Sequence, residues 1–140
     1  MRSEKKLCEE FALYTLTHKD SSFIHQHVVD AYAAQNADVH SKPITVFFAL
    51  VGLYLHVERD FTGKQVQIEH THLGQQRRQW PRLSAPLQKG CVTVSNVMAT
   101  LPGNERDAAI HTWCASVWNA WKESDAHLVS LIVKEINFSQ

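Results

Sequence analysis

The sequence predicts an all-α fold, a compact bundle of about five to six helices around a central apolar helix over residues 44–57. Apolar residues recur at three- and four-residue steps with hardly any sustained alternation, which is the period of a helix face and not of a strand. Helix-boundary residues punctuate the chain at intervals that suit short helices. The length of 140 residues, 44% apolar and 20% charged, is enough to bury one core without disulfides or structural metals, so residues 1–140 read as a single domain.

Taken in order, the first helix runs from about Lys5 to Leu16 and aligns Leu7, Phe11 and Tyr14 on one stripe. Asp20 can cap a second helix that reaches about Ala37. Ser41 caps a third, with Pro43 tolerated in its first turn, and from Ile44 to Leu55 every direction around the axis is apolar. A helix without a wet face belongs at the centre. Thr62-Gly63-Lys64-Gln65 has the form of a capping box and opens a fourth helix ending near Gln79. Pro81, Pro86 and Gly90 make Trp80 to Cys91 an ordered, irregular connection, longer than most helix-to-helix loops and of a length that often carries function. A short helix from about Val94 to Thr100 precedes the turn Leu101-Pro102-Gly103-Asn104. Asn104 and Asp107 then cap a long segment with Ile110, Trp113, Val117, Ala120 and Trp121 on one face. Either Ser124 or Asp125 restarts that helix after a kink, carrying Leu128, Leu131 and Ile132, or it runs through unbroken.

Composition narrows the function classes. With 14 basic and 14 acidic side chains the net charge is zero, which leaves no electrostatic footprint for nucleic acid or an anionic membrane. Nine histidines would make the chain cationic below about pH 6.5. Cys8, Cys91 and Cys114 are odd in number and widely spaced, so they read as reduced, buried thiols and not as a disulfide framework or zinc knuckle. The apolar run Ile44 to Leu55 falls short of the roughly 20 residues that span a bilayer. The first residues lack the apolar core of a signal peptide, and a cytoplasmic location is expected.

The segment Phe23-Ile24-His25-Gln26-His27-Val28-Val29-Asp30-Ala31-Tyr32-Ala33-Ala34-Gln35 concentrates polar chemistry on one largely buried helix. His25 and His27, two apart, point about 200° from each other and cannot chelate one ion together. His27 shares a face with Asp30, and a carboxylate that orients an imidazole serves both a general base and a metal ligand. The same pair equally satisfies two polar groups in a crowded interface. His25 and Tyr32 are expected to make structural hydrogen bonds across the bundle, and Gln35 to tie down the helix end. A metal assembled from several helices would draw on Cys8, His56 and His70 as further ligands, although no pair has a recognised ligand spacing. Ser95, Ser116 and Cys114 lack any activating context for covalent catalysis, and no glycine-rich phosphate loop exists. Trp113 and Trp121 fall on the apolar stripe as core volume, whereas Trp118 lies off it and, if exposed, is the natural anchor for a partner. Arg77-Arg78-Gln79-Trp80-Pro81-Arg82 is the only basic cluster with an aromatic and reads as solvated surface.

The segment at 23–35, Ser41-Lys42-Pro43-Ile44, and Leu50-Val51-Gly52-Leu53-Tyr54-Leu55-His56-Val57-Glu58 resemble a mostly bacterial family of small proteins of unknown function. The likeness continues through Trp80-Pro81, Val92-Thr93-Val94 and the tryptophans at 113, 118 and 121. Longer relatives add a Cys-Pro-x-Cys-Gly segment suggestive of zinc, which this sequence does not contain. The resemblance makes zinc a candidate cofactor and puts His25, Asp30, Tyr32 and Gln35 forward as positions to examine.

The leading expectation is a cytoplasmic, non-enzymatic helical protein that binds a protein partner or a copy of itself. The alternatives are a metal-dependent or acid-base enzyme acting on a small molecule in an interhelical pocket, and a small-molecule sensor. Whether His25, His27 and Asp30 face a cavity or are packed against hydrogen-bond partners distinguishes them.

Overall fold

The computed structural model describes residues 5–6, 9–10, 13, 15, 23–76, 78–124 and 126–138. All regular structure among them is helical. Described positions between Lys5 and Thr15 are helical; Leu7, Cys8, Phe11, Tyr14 and Asp20, on which parts of the sequence reading rest, lie outside the described residues. Six further helices follow: α1 (His25–Gln35), α2 (Pro43–Arg59), α3 (Gly63–Gly74), α4 (Val94–Met98), α5 (Asn104–Lys122) and α6 (His127–Phe138).

The apolar helix α2 is central, packing against α1, α3, α5 and α6. Its residues Val46, Phe47 and the unbroken run Ala49 to His56 are buried, and each fully buried leucine or phenylalanine contributes about 1.5–3 kcal/mol. Only its two ends are wet, with Ile44 46% exposed in the first turn and Glu58 and Arg59 exposed in the last. Pro43 stands in that turn, where no partner is needed for the missing amide hydrogen. Ser41 does not cap the helix as expected. Its hydroxyl instead accepts from the Asp38 amide at 3.0 Å within the preceding turn, and Lys42 holds the cap position with extended backbone. At the other end Asp60 adopts the left-handed conformation at φ 58°, and the Phe61 amide donates to the Leu55 carbonyl at 3.0 Å, closing the helix with a turn that spans residues 55–61.

Helix α1 begins at His25, later than an Asp20 start would require, because Phe23 has φ 56° and a left-handed residue cannot continue a right-handed helix. The capping box of α3 is present in both directions: Thr62 accepts from the Gln65 amide at 3.2 Å, and Gln65 accepts from the Thr62 amide at 2.8 Å. That helix ends at Gly74 and not near Gln79, since Trp80 is drawn off the axis onto Phe47 and Phe48, ring centroids 5.0 and 5.2 Å away. Residues 80–93 are irregular, as expected, and pinned to the bundle. Gly90, at φ 96°, lies against Ser116 of α5, where a side chain would meet the hydroxyl at 2.6 Å and backbone at 3.0 Å.

Gly103, not Asn104, holds the cap position of α5, while Glu105 and Asp107 lie in its first turn, where negative charge favours the helix dipole. The long final segment is broken. α5 stops at Lys122, the Ser124 hydroxyl donates to the Ser84 carbonyl at 2.8 Å, and α6 restarts so that Ala126, Val129, Val133 and Ile136 enter the core. No helix among the described residues is long and apolar enough to cross a membrane.

Candidate functional site

Three of the buried polar side chains among the described residues, on α1 and α2, gather at one place, whereas buried Arg106 of α5 bonds the Met98 and Thr100 carbonyls elsewhere. His27 and Asp30, one turn apart on α1, are 4% and 3% exposed, and His56 of α2 is 5% exposed. The two helices pass here in opposite directions, so that His27 lies over His56 and Asp30 over Gly52, one turn earlier in α2. Gly52 makes the approach possible: a Cβ there would stand 1.8 Å from Oδ2 of Asp30.

Three imidazoles from three helices form a column. The rings of His27 and His56 stack at 3.6 Å and 20°, and His56 stacks on His111 of α5 at 4.4 Å and 30°. His111 is exposed, so the column runs from solvent into the core.

The middle ring has a defined tautomer. Its Nδ1 is 3.0 Å from the Phe61 carbonyl, which can only accept, so Nδ1 carries the proton and Nε2 the lone pair. The turn that closes α2 places this carbonyl. Burial holds His56 below its ordinary value of 6.5, the Phe61 bond opposes that, the His111 charge adds to it, and Asp60 works against it. The neutral form is favoured, and Nε2 is buried without a hydrogen-bond partner among the described residues.

Asp30 is also incompletely satisfied. Gln26 donates to Oδ1 at 3.1 Å, whereas Oδ2 is buried without a partner among the described residues. Burial raises its carboxyl well above the ordinary carboxylate value, against the smaller opposing effect of Gln26. That shift works against the negative charge that an orienter of His27 as general base would need. Cys114 of α5 donates to the His27 carbonyl at 3.7 Å, and burial with the nearby Asp30 pushes its thiol far above the usual range, which makes it inert. Cys91, expected to be buried, is exposed at the end of the 80–91 connection.

The other expected site residues disperse. His25 and His27 diverge: Nδ1 of His25 lies 2.7 Å from the Thr15 hydroxyl, and burial lowers its pKa. Tyr32 is half-buried against the core. Gln35 ties down more than a helix end, donating to the Lys89 and Val92 carbonyls at 3.3 and 2.6 Å and accepting from Trp113 Nε1 at 2.9 Å. His70 donates to the Phe48 carbonyl at 2.7 Å, away from the column. Trp118 is 1% exposed, with Nε1 donating to Glu58 at 2.7 Å, so it has no free face to serve as a partner's anchor. Its offset from the Trp113 stripe puts it against Tyr54, at 5.8 Å between centroids.

Sequence reasoning overlooked His111 and Gly52. A signal for Gly52 existed: a glycine one turn before a histidine in an otherwise apolar helix marks a close approach. His111 had none, because an exposed histidine on a polar face is ordinary.

Three cavities, of about 580, 360 and 420 Å³, open elsewhere on the described surface, and neither His25, His27, Asp30 nor His56 lines any of them. Among the described residues no group of three or more His, Cys, Asp or Glu side chains is placed so that it could hold a metal ion.

No curated protein and no solved structure matches the chain. A family of unknown function, DUF5946, matches over residues 5–122, and the chain belongs to that family.

Proposed function

We propose that the protein is a metal-responsive helical protein whose sensing element is the His27–His56–His111 column, with a divalent transition-metal ion of the zinc or cobalt kind as its ligand. The observation that carries this reading is the bare Nε2 of His56. A ring that donates its Nδ1 proton to a backbone carbonyl and presents a lone pair from the other nitrogen is prepared as histidine metal ligands are. An unsatisfied buried nitrogen and an unsatisfied buried carboxyl oxygen each cost roughly 1–3 kcal/mol, an expense that core packing alone does not require. Neutral imidazole is also the ligating form, and burial favours it here.

The rings stack face to face instead of pointing at one centre, so an ion must turn them apart. Binding then changes the contact between α1, α2 and α5, which is the property of a sensor and not of a permanent structural site. The solvent-exposed His111 is the ring free to swing. An acid-base enzyme is supported less well, since no described cavity meets His27 or Asp30.

Untagged protein titrated with cobalt and zinc, followed by calorimetry and cobalt absorption, tests this. One ion per chain is expected, and His56→Ala and His111→Ala should each weaken binding about tenfold or more. Because the chain has nine histidines, His72→Ala serves as the control and should bind as the parent does. No uptake, or uptake indifferent to His56 and His111, refutes the proposal.

A further inference from the structure

Arg82 and the connection after it take no part in the imidazole column. They build one wall of a cavity of about 580 Å³ between the 37–43 turn and residues 82–89. That volume lies within the range of roughly 300–1,000 Å³ usual for small-molecule sites. The floor is apolar, with Ala37, Val46, Leu83 and Trp121, and the rim carries Arg82 and Lys89.

The charge at the rim is unbalanced. Asp38 is the one carboxylate in the lining, and its Oδ1 is turned to its own loop, accepting from the His40 amide at 2.8 Å and lying 3.5 Å from the Ser41 hydroxyl. Neither Arg82 nor Lys89 has an ion pair among the described residues. One guanidinium nitrogen of Arg82 holds the Val39 and Ser41 carbonyls at 3.4 and 3.3 Å, which fixes the side chain and leaves its other donors for a ligand.

The wall is also preformed. Trp80 stacks on Phe47 and meets Phe48 edge-on, Gln35 grips the Lys89 and Val92 carbonyls, and Ser124 grips the Ser84 carbonyl. Such anchoring reduces the ordering cost of binding.

We infer that this groove binds a small amphipathic carboxylate, its apolar body over Ala37, Val46, Leu83 and Trp121 and its carboxylate at Arg82 and Lys89. A bare anion would leave the apolar floor uncovered, and a neutral apolar molecule would leave the two cations unmatched.

Three probes separate these cases: 1-naphthoate, its neutral amide 1-naphthamide, and inorganic phosphate, each titrated into the full chain by calorimetry with amide and indole NMR shifts to locate binding. Naphthoate should bind at least about tenfold more tightly than either control, the factor that corresponds to about 1.4 kcal/mol. The Val46 amide and the Trp121 indole resonance should shift. Arg82→Gln and Lys89→Gln should each reduce naphthoate affinity about fivefold or more, and Lys89→Gln keeps the test decisive should loss of Arg82 disturb the 39–41 turn. Absence of naphthoate binding at millimolar concentration, equal binding of naphthamide or phosphate, or indifference to Lys89→Gln overturns the inference.

Discussion

Replacing Gly52 by alanine should destabilise the fold because of Asp30 alone, and this dependence can be isolated. In a helix interior alanine is favoured over glycine by about 1 kcal/mol. The new Cβ would stand 1.8 Å from Oδ2 and 2.6 Å from Cγ of Asp30, and 3.2 Å from Cγ1 of Val66. The carboxyl must leave its cradle, giving up the Gln26 bond at a cost of roughly 1 kcal/mol, and forcing it into a packed interior costs roughly 1–3 kcal/mol more. The single substitution is therefore expected to lower stability by about 1–3 kcal/mol net, several degrees in Tm for a chain this size. In an Asp30→Ala background only the Val66 contact remains, so Gly52→Ala should there be neutral to stabilising by up to about 1 kcal/mol. Urea denaturation of the four proteins gives the coupling energy, expected at about 2–4 kcal/mol. Additivity within about 0.5 kcal/mol would show that Asp30 does not rest on Gly52 and that the α1–α2 register described here is wrong.

Stability should also depend on pH in two opposing ways. His56 and His70 have folded values below their ordinary 6.5, so their contribution is present above that pH and is lost as pH falls through 6.5 towards the lower folded values. Asp30 has a folded value above its ordinary 3.8, so its contribution is present below 3.8 and is lost as pH rises through the folded value. In an Asp30→Asn background, where the histidine effect stands alone, the urea midpoint should fall between pH 7 and pH 5, and Asp30→Asn should gain more over the parent at pH 8 than at pH 5; a flat profile in that background or the reverse ordering contradicts these shifts. Gln35→Leu should cost roughly 1–3 kcal/mol by leaving the indole nitrogen of Trp113 unpaired, and amide exchange should rise first in residues 89–92; unchanged exchange there would sink the clamp. Thr62→Ala should cost about 1 kcal/mol through loss of the capping box, and an unchanged urea midpoint would count against the cap.

Much of the architecture was readable locally. The unbroken apolar run after Pro43 identified the central helix, Thr62 and Gln65 identified the start of α3, and two prolines with Gly90 identified the irregular connection. Where local reading failed, a competing contact explains it. Ser41 turned to Asp38 instead of capping α2, Trp80 left the α3 axis for Phe47 and Phe48, and Trp118 found Glu58 and Tyr54 in place of solvent. The two tryptophans pit a short-range preference of about 1 kcal/mol against burial of a larger surface, whereas Ser41 exchanges one local hydrogen bond for another.

The chain's own pattern determined that it is helical, which helix lies at the centre, and that His25 and His27 face apart, because these follow from a period of 3.6 residues along one segment. That His27 meets His56 and His111, that Asp30 lies in the space Gly52 leaves, and that the 37–43 turn faces Arg82 and Lys89 across one groove depend on residues far apart in the sequence. No periodicity specifies which turn of one helix lies against which turn of another. That register is set by the fit of large and small side chains across the interface, and only the packed tertiary structure contains it.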